Sequence, residues 1–390
     1  MKIVYLDNNA TTMPAKEVVE AMLPYYTERW GNPSSMHTFG GSLIKDIEGA
    51  REKIAALIGA KRTSEIVITS GGTESDNAAI MGTLLANPEK RHIITTKVEH
   101  AAVRNLCHSL EKRGYRLTEI DVDSEGMLDV DGLKKAITPD TAIVSVMWAN
   151  NETGVISPIE EVAEICKEKG VVFHTDAVQA VGKVEIDVEK VPVDMLSASG
   201  HKLHGPKGIG FLYIRRGTKF YPFIIGGHHE MGRRGGTENV PGIIGLGKAC
   251  ELARNEMEKE KIFVKELRDR LEEGIIKSIP NTRINGNREK RLPNTTNISF
   301  ENIEGEAILL MLNEFGICAS SGSACTSGSL EPSHVLKAMN VPFSMAHGSI
   351  RFSLSRYNTQ DEIDFVLEKM PAIINRLREI SPLNSSQLGM

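Results

Sequence analysis

Glycines, hydroxyl residues and charged side chains that could bind a ligand follow directly after short apolar runs in this chain. In the segment ITSGGTESDN, Gly72 and Thr73 lie between an apolar run and a predicted helix. The N-terminus of a helix presents free backbone N–H groups to an anion, so this segment predicts an anion-binding cradle. The spacing of Thr73 and Asp76 also fits a plain helix cap, and the segment alone leaves both interpretations open.

Two further segments place a carboxylate and an amine after apolar runs. In VVFHTDAVQAVG, Asp176 ends the run and Gln179 follows three residues later. A buried carboxylate is costly without a partner, so Asp176 should face a cation. In DMLSASGHKLHG, Ser199, His201 and Lys202 lie on a tight turn, where lost hydration would lower the pKa of the lysine and make its free amine a nucleophile or base. A surface turn with a solvated lysine and a capping serine is the alternative.

An anion cradle, a carboxylate and a reactive amine are together the set that pyridoxal phosphate requires. The cofactor needs a phosphate site, an acid beside the ring nitrogen and a lysine for a Schiff base. His100, which ends the run in KVEHAAV, could stack on the ring or move protons, or could simply cap a helix. Arg351 alternates with apolar residues in GSIRFSLSRY and could bind a substrate carboxylate, or could be an exposed arginine of an edge strand.

One cysteine lies among small polar residues that cannot pack a core. Residues 320–329, SSGSACTSGS, surround Cys325 with serines and glycines and predict a mobile loop. Taken alone, the loop does not distinguish a nucleophile from a bystander.

Composition limits the classes of function. The chain has 390 residues, which favours two domains, and its net charge of −5 gives no basic field for nucleic acid or an anionic membrane. The first apolar run is too short for a signal peptide, and no apolar stretch approaches a membrane span. Five cysteines without a C-x-x-C pair argue against disulfides and zinc and favour the reducing cytoplasm.

The elements that must position these residues alternate between strand and helix over residues 15–255. This alternation predicts an α/β domain with an open, largely parallel sheet covered by helices on both faces, with ligands at the carboxyl ends of the strands. A helix is predicted within 42–60. The predicted strands are EIVITS (65–70), HIITT (92–96), TAIVSVMWA (141–149), VVFHTDA (171–177), DMLSAS (194–199) and IGFLYI (209–214).

A second, smaller α+β domain is predicted from residues 1–14 and 256–390. It begins with a periodic helix after residue 256 and ends with an amphipathic helix near 361–379. This domain carries the cysteine loop at about 318–332. The last ten residues, SPLNSSQLGM, predict a frayed tail.

The ordered motifs resemble those of cysteine desulfurases in the class V aminotransferase superfamily, the branch that supplies sulfur for iron–sulfur clusters. The resemblance implies the pyridoxal-phosphate fold type I, with a mainly parallel seven-stranded sheet between helices. The motifs are YLDNNATT, GNPSSMH, TSGGTESDN, VEHAAV, NNETG, HTDAVQAVGK, SASGHKLHGPKGIGFLY, RRGGTEN, SSGSACTSG and IRFSLSRYNT.

The resemblance also implies a role for each site residue. Lys202 would hold the cofactor covalently and act as the Cα base, and Cys325 and His100 would join it in catalysis. Asp176 would pair with the ring nitrogen, Gln179 would bond the ring hydroxyl, and His100 would stack on the ring. The phosphate would be held by Gly72, Thr73, Ser199 and His201, with Thr237 of the partner subunit, and the substrate by Asn8, Asn151 and Arg351.

The activity implied by the resemblance is removal of sulfur from L-cysteine, with L-alanine released and a persulfide left on Cys325. A homodimer and an iron–sulfur scaffold as sulfur acceptor are implied too, with no metal required, although Cys325 could transiently ligate a cluster on the scaffold. The alternatives are a selenocysteine lyase or another class V enzyme such as an aminotransferase. A metal or cluster carrier using Cys318, Cys325 and histidine residues is a third, but the spacing of the two cysteines matches no common metal pattern.

Overall fold

The computed structural model of the protein describes residues 2–321 and 332–381. Cys325 and residues 382–390 of the predicted tail lie outside the described residues, as does most of the segment 318–332. The strands of the described residues are β1 (Val4–Tyr5), β2 (Ile66–Thr69), β3 (His92–Thr96), β4 (Arg116–Ile120), β5 (Thr141–Ser145), β6 (Val172–Asp176), β7 (Met195–Ser199), β8 (Gly210–Ile214), β9 (Thr282–Ile284), β10 (Thr295–Phe300), β11 (Ile317–Cys318) and β12 (Ser349–Ser353). The α-helices are α1 (Lys16–Met22), α2 (Pro24–Thr27), α3 (Thr38–Gly41), α4 (Leu43–Ile58), α5 (Gly72–Ala86), α6 (Ala101–Glu111), α7 (Val130–Ala136), α8 (Ile159–Lys169), α9 (Val240–Ser278), α10 (Gly305–Glu314), α11 (His334–Ala338), α12 (Phe343–Ala346) and α13 (Gln360–Ile380).

A seven-stranded sheet forms the centre of the larger part of the molecule, in the order β2-β8-β7-β6-β5-β3-β4. Strand β8 is antiparallel to both of its neighbours, and the other pairs are parallel. The predicted mainly parallel α/β sheet is therefore confirmed. The carboxyl ends of β2, β3, β6 and β7 lie along the same side of the sheet, where these strands end.

Successive residues of the strands face opposite sides, as the period of a strand requires. Ile66 and Ile68 of β2 pack into one hydrophobic core with helices α4, α8 and α9. Val67 between them packs into a second core with α5 and α6. The helices therefore cover both faces of the sheet, as predicted.

All six predicted strands are present, and the seventh strand of the sheet, β4, was missed. Its sequence, RLTEI, begins on an exposed residue and reaches full burial only at Ile120. Because β4 lies at the edge of the sheet, it needs no continuous apolar run and gives a weak sequence signal.

Two glycines bring the end of β2 against the start of β8. A Cβ on Gly210 would lie 2.5 Å from the Ala198 carbonyl oxygen and 2.7 Å from the Gly71 Cα. Gly71 itself has a φ of +149°, which favours glycine. This close approach places Ser199, at the end of β7, beside the N-terminus of α5.

A separate antiparallel sheet, in the order β12-β10-β9, belongs to the smaller part of the molecule. Its core includes Phe300 and Phe352 and is distinct from the cores on the large sheet. Helix α9 runs without a break past residue 256: Leu246 packs with the large core and Leu271 with the small one. The exact domain boundaries stay a prediction.

No helix among the described residues is long and apolar enough to cross a membrane.

Candidate active site

A cavity of about 380 Å³ opens at the sheet edge where the carboxyl ends of β2, β3, β6 and β7 meet. Its volume is in the range of small-ligand pockets. It brings together most of the residues predicted for the site, although they are far apart in sequence. These are Gly72, Thr73, His100, Asn151, Asp176, Gln179, Ser199, His201, Lys202 and Arg351.

Two predicted residues are described but do not line this cavity. The side-chain amide of Asn8 donates to the carbonyl oxygens of Tyr5 and Ser353 at 3.3 and 3.0 Å, and Asn8 borders a smaller neighbouring cavity instead. Thr237 is exposed on the surface of the chain. Cys325 lies outside the described residues, so the structure does not test its position.

Lys202 ends a 3-10 turn, Gly200–Lys202, that directly follows β7. Its Nζ donates to the backbone oxygens of Asn9 at 2.5 Å and Ala10 at 2.8 Å. Burial, followed by the charge of Arg351, lowers the pKa of Lys202 to about 8. More of its amine is therefore uncharged near neutral pH than the solvated-lysine alternative would allow.

Asp176, at the end of β6, is buried, and its Oδ1 accepts a hydrogen bond from the backbone N–H of Val178 at 2.9 Å. Burial raises its pKa, and the charges of His100 and Lys202 oppose that rise. The cationic environment expected for this carboxylate is thus provided by the cavity.

A second buried carboxyl, Asp76, lines the same cavity and was interpreted from sequence only as a helix cap. The N-cap of α5 is Gly71, with no side-chain cap, so the capping alternative is wrong. Burial and the nearby Asp176 raise the pKa of Asp76 well above its ordinary value. Its closest basic group is His174 Nε2 at 3.6 Å, but burial lowers the pKa of His174 to about 3. Of the two carboxyls, Asp76 is therefore the one whose surroundings favour the neutral form more strongly.

The N-terminus of α5 forms an anion cradle with the turn after β7. A Cβ on Gly72 would lie 2.7 Å from Val178 Cγ2, so only glycine fits there without a shift. The hydroxyls of Thr73 and Ser199 line the cavity beside it. His201 contacts Thr11 Oγ1 through Nδ1 at 3.2 Å, and burial, then the charge of Lys202, lowers its pKa to about 4. A neutral imidazole, two hydroxyls and uncapped N–H groups are suitable donors for a phosphate.

Arg351 points away from the apolar face of β12, as predicted, and into the cavity. Its guanidinium donates to the Asn151 carbonyl oxygen at 3.0 Å and to Asp7 Oδ1 at 2.6 Å. Its Nε is buried and has no partner among the described residues. Asp7 was missed as a site residue, because its contact joins opposite ends of the chain.

His100 caps a helix and also lines the cavity, and its role at a cofactor ring stays a prediction. It is the N-cap of α6, and its Nδ1 accepts a hydrogen bond from the Ala102 N–H at 3.2 Å. Because Nδ1 accepts, the N–H of the ring is on Nε2. The same side chain lines the cavity.

Asn9 is a further residue that sequence reasoning missed. Its carbonyl oxygen accepts hydrogen bonds from both Lys202 Nζ and Gln179 Nε2, the latter at 2.9 Å. The available signal was the motif YLDNNATT, from which only the neighbouring Asn8 was assigned to the site.

The donor set of the cavity fits pyridoxal phosphate: an uncapped glycine cradle, a buried carboxylate and an amine of lowered pKa share one space. Among residues 2–321 and 332–381, no three His, Cys, Asp or Glu side chains are grouped to hold a metal ion.

Comparisons with known proteins agree with this geometry. Residues 4–366 match the family model described as aminotransferase class-V. The chain is 61% identical over 387 residues to cysteine desulfurase 2 of Trichormus variabilis, covering 99% of this chain and 97% of that one. It is 56% identical over 382 residues to cysteine desulfurase NifS of Azotobacter vinelandii, covering 98% and 95%.

Solved structures give the same result. A NifS-like protein superposes with a TM-score of 0.91 at 41% identity, covering 96% of this chain and all of the other. A structure described as SspA in complex with cysteine superposes with a TM-score of 0.80 at 36% identity, covering 91% and 99%. The chain therefore belongs to the class V aminotransferase family and, within it, to the group of the cysteine desulfurases.

Proposed function

We propose that this protein is a cysteine desulfurase that uses pyridoxal phosphate to take sulfur from L-cysteine. It releases L-alanine and passes the sulfur, held as a persulfide on Cys325, to an iron–sulfur scaffold protein. The observation that carries the proposal is the Lys202 amine, which shares one cavity with an anion cradle and a buried carboxylate. The names of the full-length relatives support the choice of substrate.

The residues of the cavity divide naturally among the parts of the cofactor. When bound, pyridoxal phosphate supplies an electron sink that stabilises negative charge at the substrate Cα. The cradle at Gly72, with the hydroxyls of Thr73 and Ser199 and the neutral His201, would hold the phosphate. Asp176 would face the ring nitrogen, Gln179 the ring oxygen and His100 the face of the ring, and Lys202 would bind covalently.

Arg351 and Lys202 would act on the substrate. Arg351 is buried and points into the cavity, so its guanidinium can bind a carboxylate away from competing water. Asp7 holds it in place from the other side at 2.6 Å. With a pKa of about 8, the Lys202 amine can accept the Cα proton and return it.

Cys325 would perform the sulfur transfer. Its thiolate attacks the substrate sulfur, so that a new S–S bond forms and the bond between that sulfur and the substrate Cβ breaks. The electron pair of the broken bond stays with the carbon fragment, which takes up a proton and leaves as alanine. The persulfide sulfur then goes to a thiolate acceptor on the scaffold.

A homodimer is part of the proposal. Ile44 and Met231 are exposed and line one open surface groove together with Glu238, the residue that follows Thr237. A second copy of the chain seated on this groove would cover Ile44 and Met231 and would bring Thr237 toward the phosphate site of its partner. We also infer a cytoplasmic location, because the described cysteines are free thiols and Cys107, Cys166 and Cys250 are buried.

The proposal is tested by a visible spectrum of the protein before and after L-cysteine, with alanine and sulfide assayed together. We expect a pyridoxal band that changes on addition of L-cysteine, with alanine and sulfide in equal amounts under reducing conditions. Cys325→Ala should keep the band and its response but lose sulfide release by more than about a hundredfold, since the nucleophile is gone. Cys318→Ser is the matched control and should remain active. Sulfide release at the unmodified rate by the Cys325→Ala protein would refute the assignment.

A further inference from the structure

A lysine outside the predicted site residues contacts Gln179, which lines the cavity. Lys183 lies four residues after Gln179, and its Nζ donates a hydrogen bond to Gln179 Oε1 at 2.8 Å. The same Nζ lies 3.5 Å from Asn9 Oδ1. In the sequence, Lys183 is only the last residue of the motif HTDAVQAVGK.

This contact fixes the orientation of the Gln179 side-chain amide, that is, the positions of its oxygen and its nitrogen. An ammonium has three donors and no acceptor, so the atom that meets Lys183 must be the amide oxygen. The amide nitrogen then faces the Asn9 carbonyl oxygen, to which Nε2 donates at 2.9 Å. Gln179 is buried, so its amide has no water to compensate for a reversed orientation.

The side chain of Asn9 is held in one orientation by residues other than Gln179. Its Nδ2 donates to Thr295 Oγ1 at 2.9 Å, and its Oδ1 accepts from Asn294 Nδ2 at 3.1 Å. The chain around Asn9 therefore offers only acceptors toward Gln179 Nε2. One N–H of Gln179 remains, and Gln179 lines the cavity.

The charges around Lys183 come from several elements. Lys202 and Arg351 face it as cations, and Glu260 on α9 faces it as the opposite charge, itself paired with Arg356 at 3.0 Å. Burial is the largest influence and lowers the pKa of Lys183 to about 7. The charged form of Lys183 has donors only, and its hydrogen bond to Gln179 Oε1 is charge-assisted.

We propose that Lys183 is a positioning residue that orients the Gln179 amide so that its free N–H is presented to the ring oxygen of the cofactor. This inference rests on the proposed function for the identity of the ligand. A donor at that place stabilises the form of the cofactor that has lost its titrating proton, and a cation behind the donor strengthens the effect.

The test is Lys183→Met, which keeps the length of the side chain and removes its donors. The pH midpoint of the visible absorbance change should rise by roughly one unit, and the cofactor dissociation constant should increase about tenfold, the usual effect of losing one charge-assisted hydrogen bond. Lys167→Met, an exposed lysine of α8, is the matched control and should change neither.

A double variant shows whether Lys183 acts through Gln179. Gln179→Leu alone should raise the midpoint, and adding Lys183→Met to it should raise it no further. An unchanged midpoint in Lys183→Met, or an equal shift in both backgrounds, would overturn the inference. If Lys183→Met fails to fold, Lys183→Ala provides the same test, because it also removes the donors behind Gln179; an unchanged midpoint in Lys183→Ala would then overturn the inference. Absence of any pyridoxal band in the unmodified protein would instead refute the proposed function itself.

Discussion

Asp76 and Asp176 line the same cavity, but their different surroundings affect the charge of the two carboxyls differently. Both are buried, but the ionised form of Asp176 is supported by nearby His100 and by the charge of Lys202. Among the described residues, the basic side chain paired with Asp76 is His174, which lies between Ser145 and Ser197 and whose pKa burial lowers to about 3. The neutral form is therefore favoured more strongly at Asp76 than at Asp176.

This assignment predicts unequal effects of two matched substitutions. Asp76→Asn replaces a neutral acid with a neutral amide of the same shape and should leave the cofactor dissociation constant within about threefold. Asp176→Asn removes the charge that we propose to face the ring nitrogen and should weaken binding more than about tenfold, as loss of a buried charged partner does. Both constants are measured by titrating the apoprotein with pyridoxal phosphate and following absorbance. Equal losses in the two variants would contradict the assignment.

At the residue scale, the site residues that lie at the ends of strands could be predicted from the sequence. Those that reach the site from distant parts of the chain could not. Asp176 and Lys202 follow apolar runs, which a sequence displays directly. Asn9 and Asp7 reach the site through contacts that span most of the chain, and Lys183 resembles any other lysine in its motif. Long-range hydrogen bonds leave no local pattern, so these residues could be found only in the structure.

At the scale of elements, the anion cradle depends on the approach of β8 to the turn before α5. Helix α5 begins at Gly72 only because Gly71 takes a backbone conformation that other residues avoid, and Gly210 leaves room for it. The strand pattern was predictable from sequence because these strands are apolar throughout. The close approach of Gly71 and Gly210 was not predictable from sequence. A glycine in a sequence does not indicate which neighbouring atoms occupy the space that a side chain would fill.

Gly210→Ala should therefore damage both stability and cofactor binding. The added Cβ would meet the Ala198 carbonyl oxygen at 2.5 Å and the Gly71 Cα at 2.7 Å, and backbone atoms must shift. We expect a loss of about 1–3 kcal/mol in the free energy of unfolding, as overpacking usually costs, and weaker binding of the cofactor phosphate. Denaturant unfolding and cofactor titration are the measurements.

Gly49→Ala is the control for that substitution. Gly49 lies within α4, and its Cβ would have no neighbour within 4 Å, so alanine there should stabilise the helix by about 0.5–1 kcal/mol. If Gly210→Ala matched Gly49→Ala in both measurements, the close approach would have no role in the cradle.

At the scale of the whole molecule, the loop before α9, which carries the exposed Thr237, is held by ion pairs to the rest of the chain. Glu230 forms a bidentate pair with the buried Arg51 at 2.6 and 3.0 Å and accepts from the Ile68 N–H. Arg234 pairs with Glu74 in the first turn of α5. These contacts hold the loop rigidly at the surface, where Thr237 lies away from the cavity of its own chain. A fixed, outward-facing threonine is suited to a neighbouring subunit.

The proposed exchange of Thr237 between subunits predicts complementation between two inactive variants. Thr237→Asp should repel the cofactor phosphate in the partner's site, and Lys202→Ala should abolish activity in its own site. In a mixed dimer, both lesions fall on the same site if Thr237 acts across the interface, and the other site is intact. Co-expression with two different affinity tags and purification through both should therefore yield about half the activity of the unmodified dimer, with the mass of two 42.8 kDa chains in solution. If Thr237 served its own chain, each site of the mixed dimer would carry one lesion and the preparation would be as inactive as either parent.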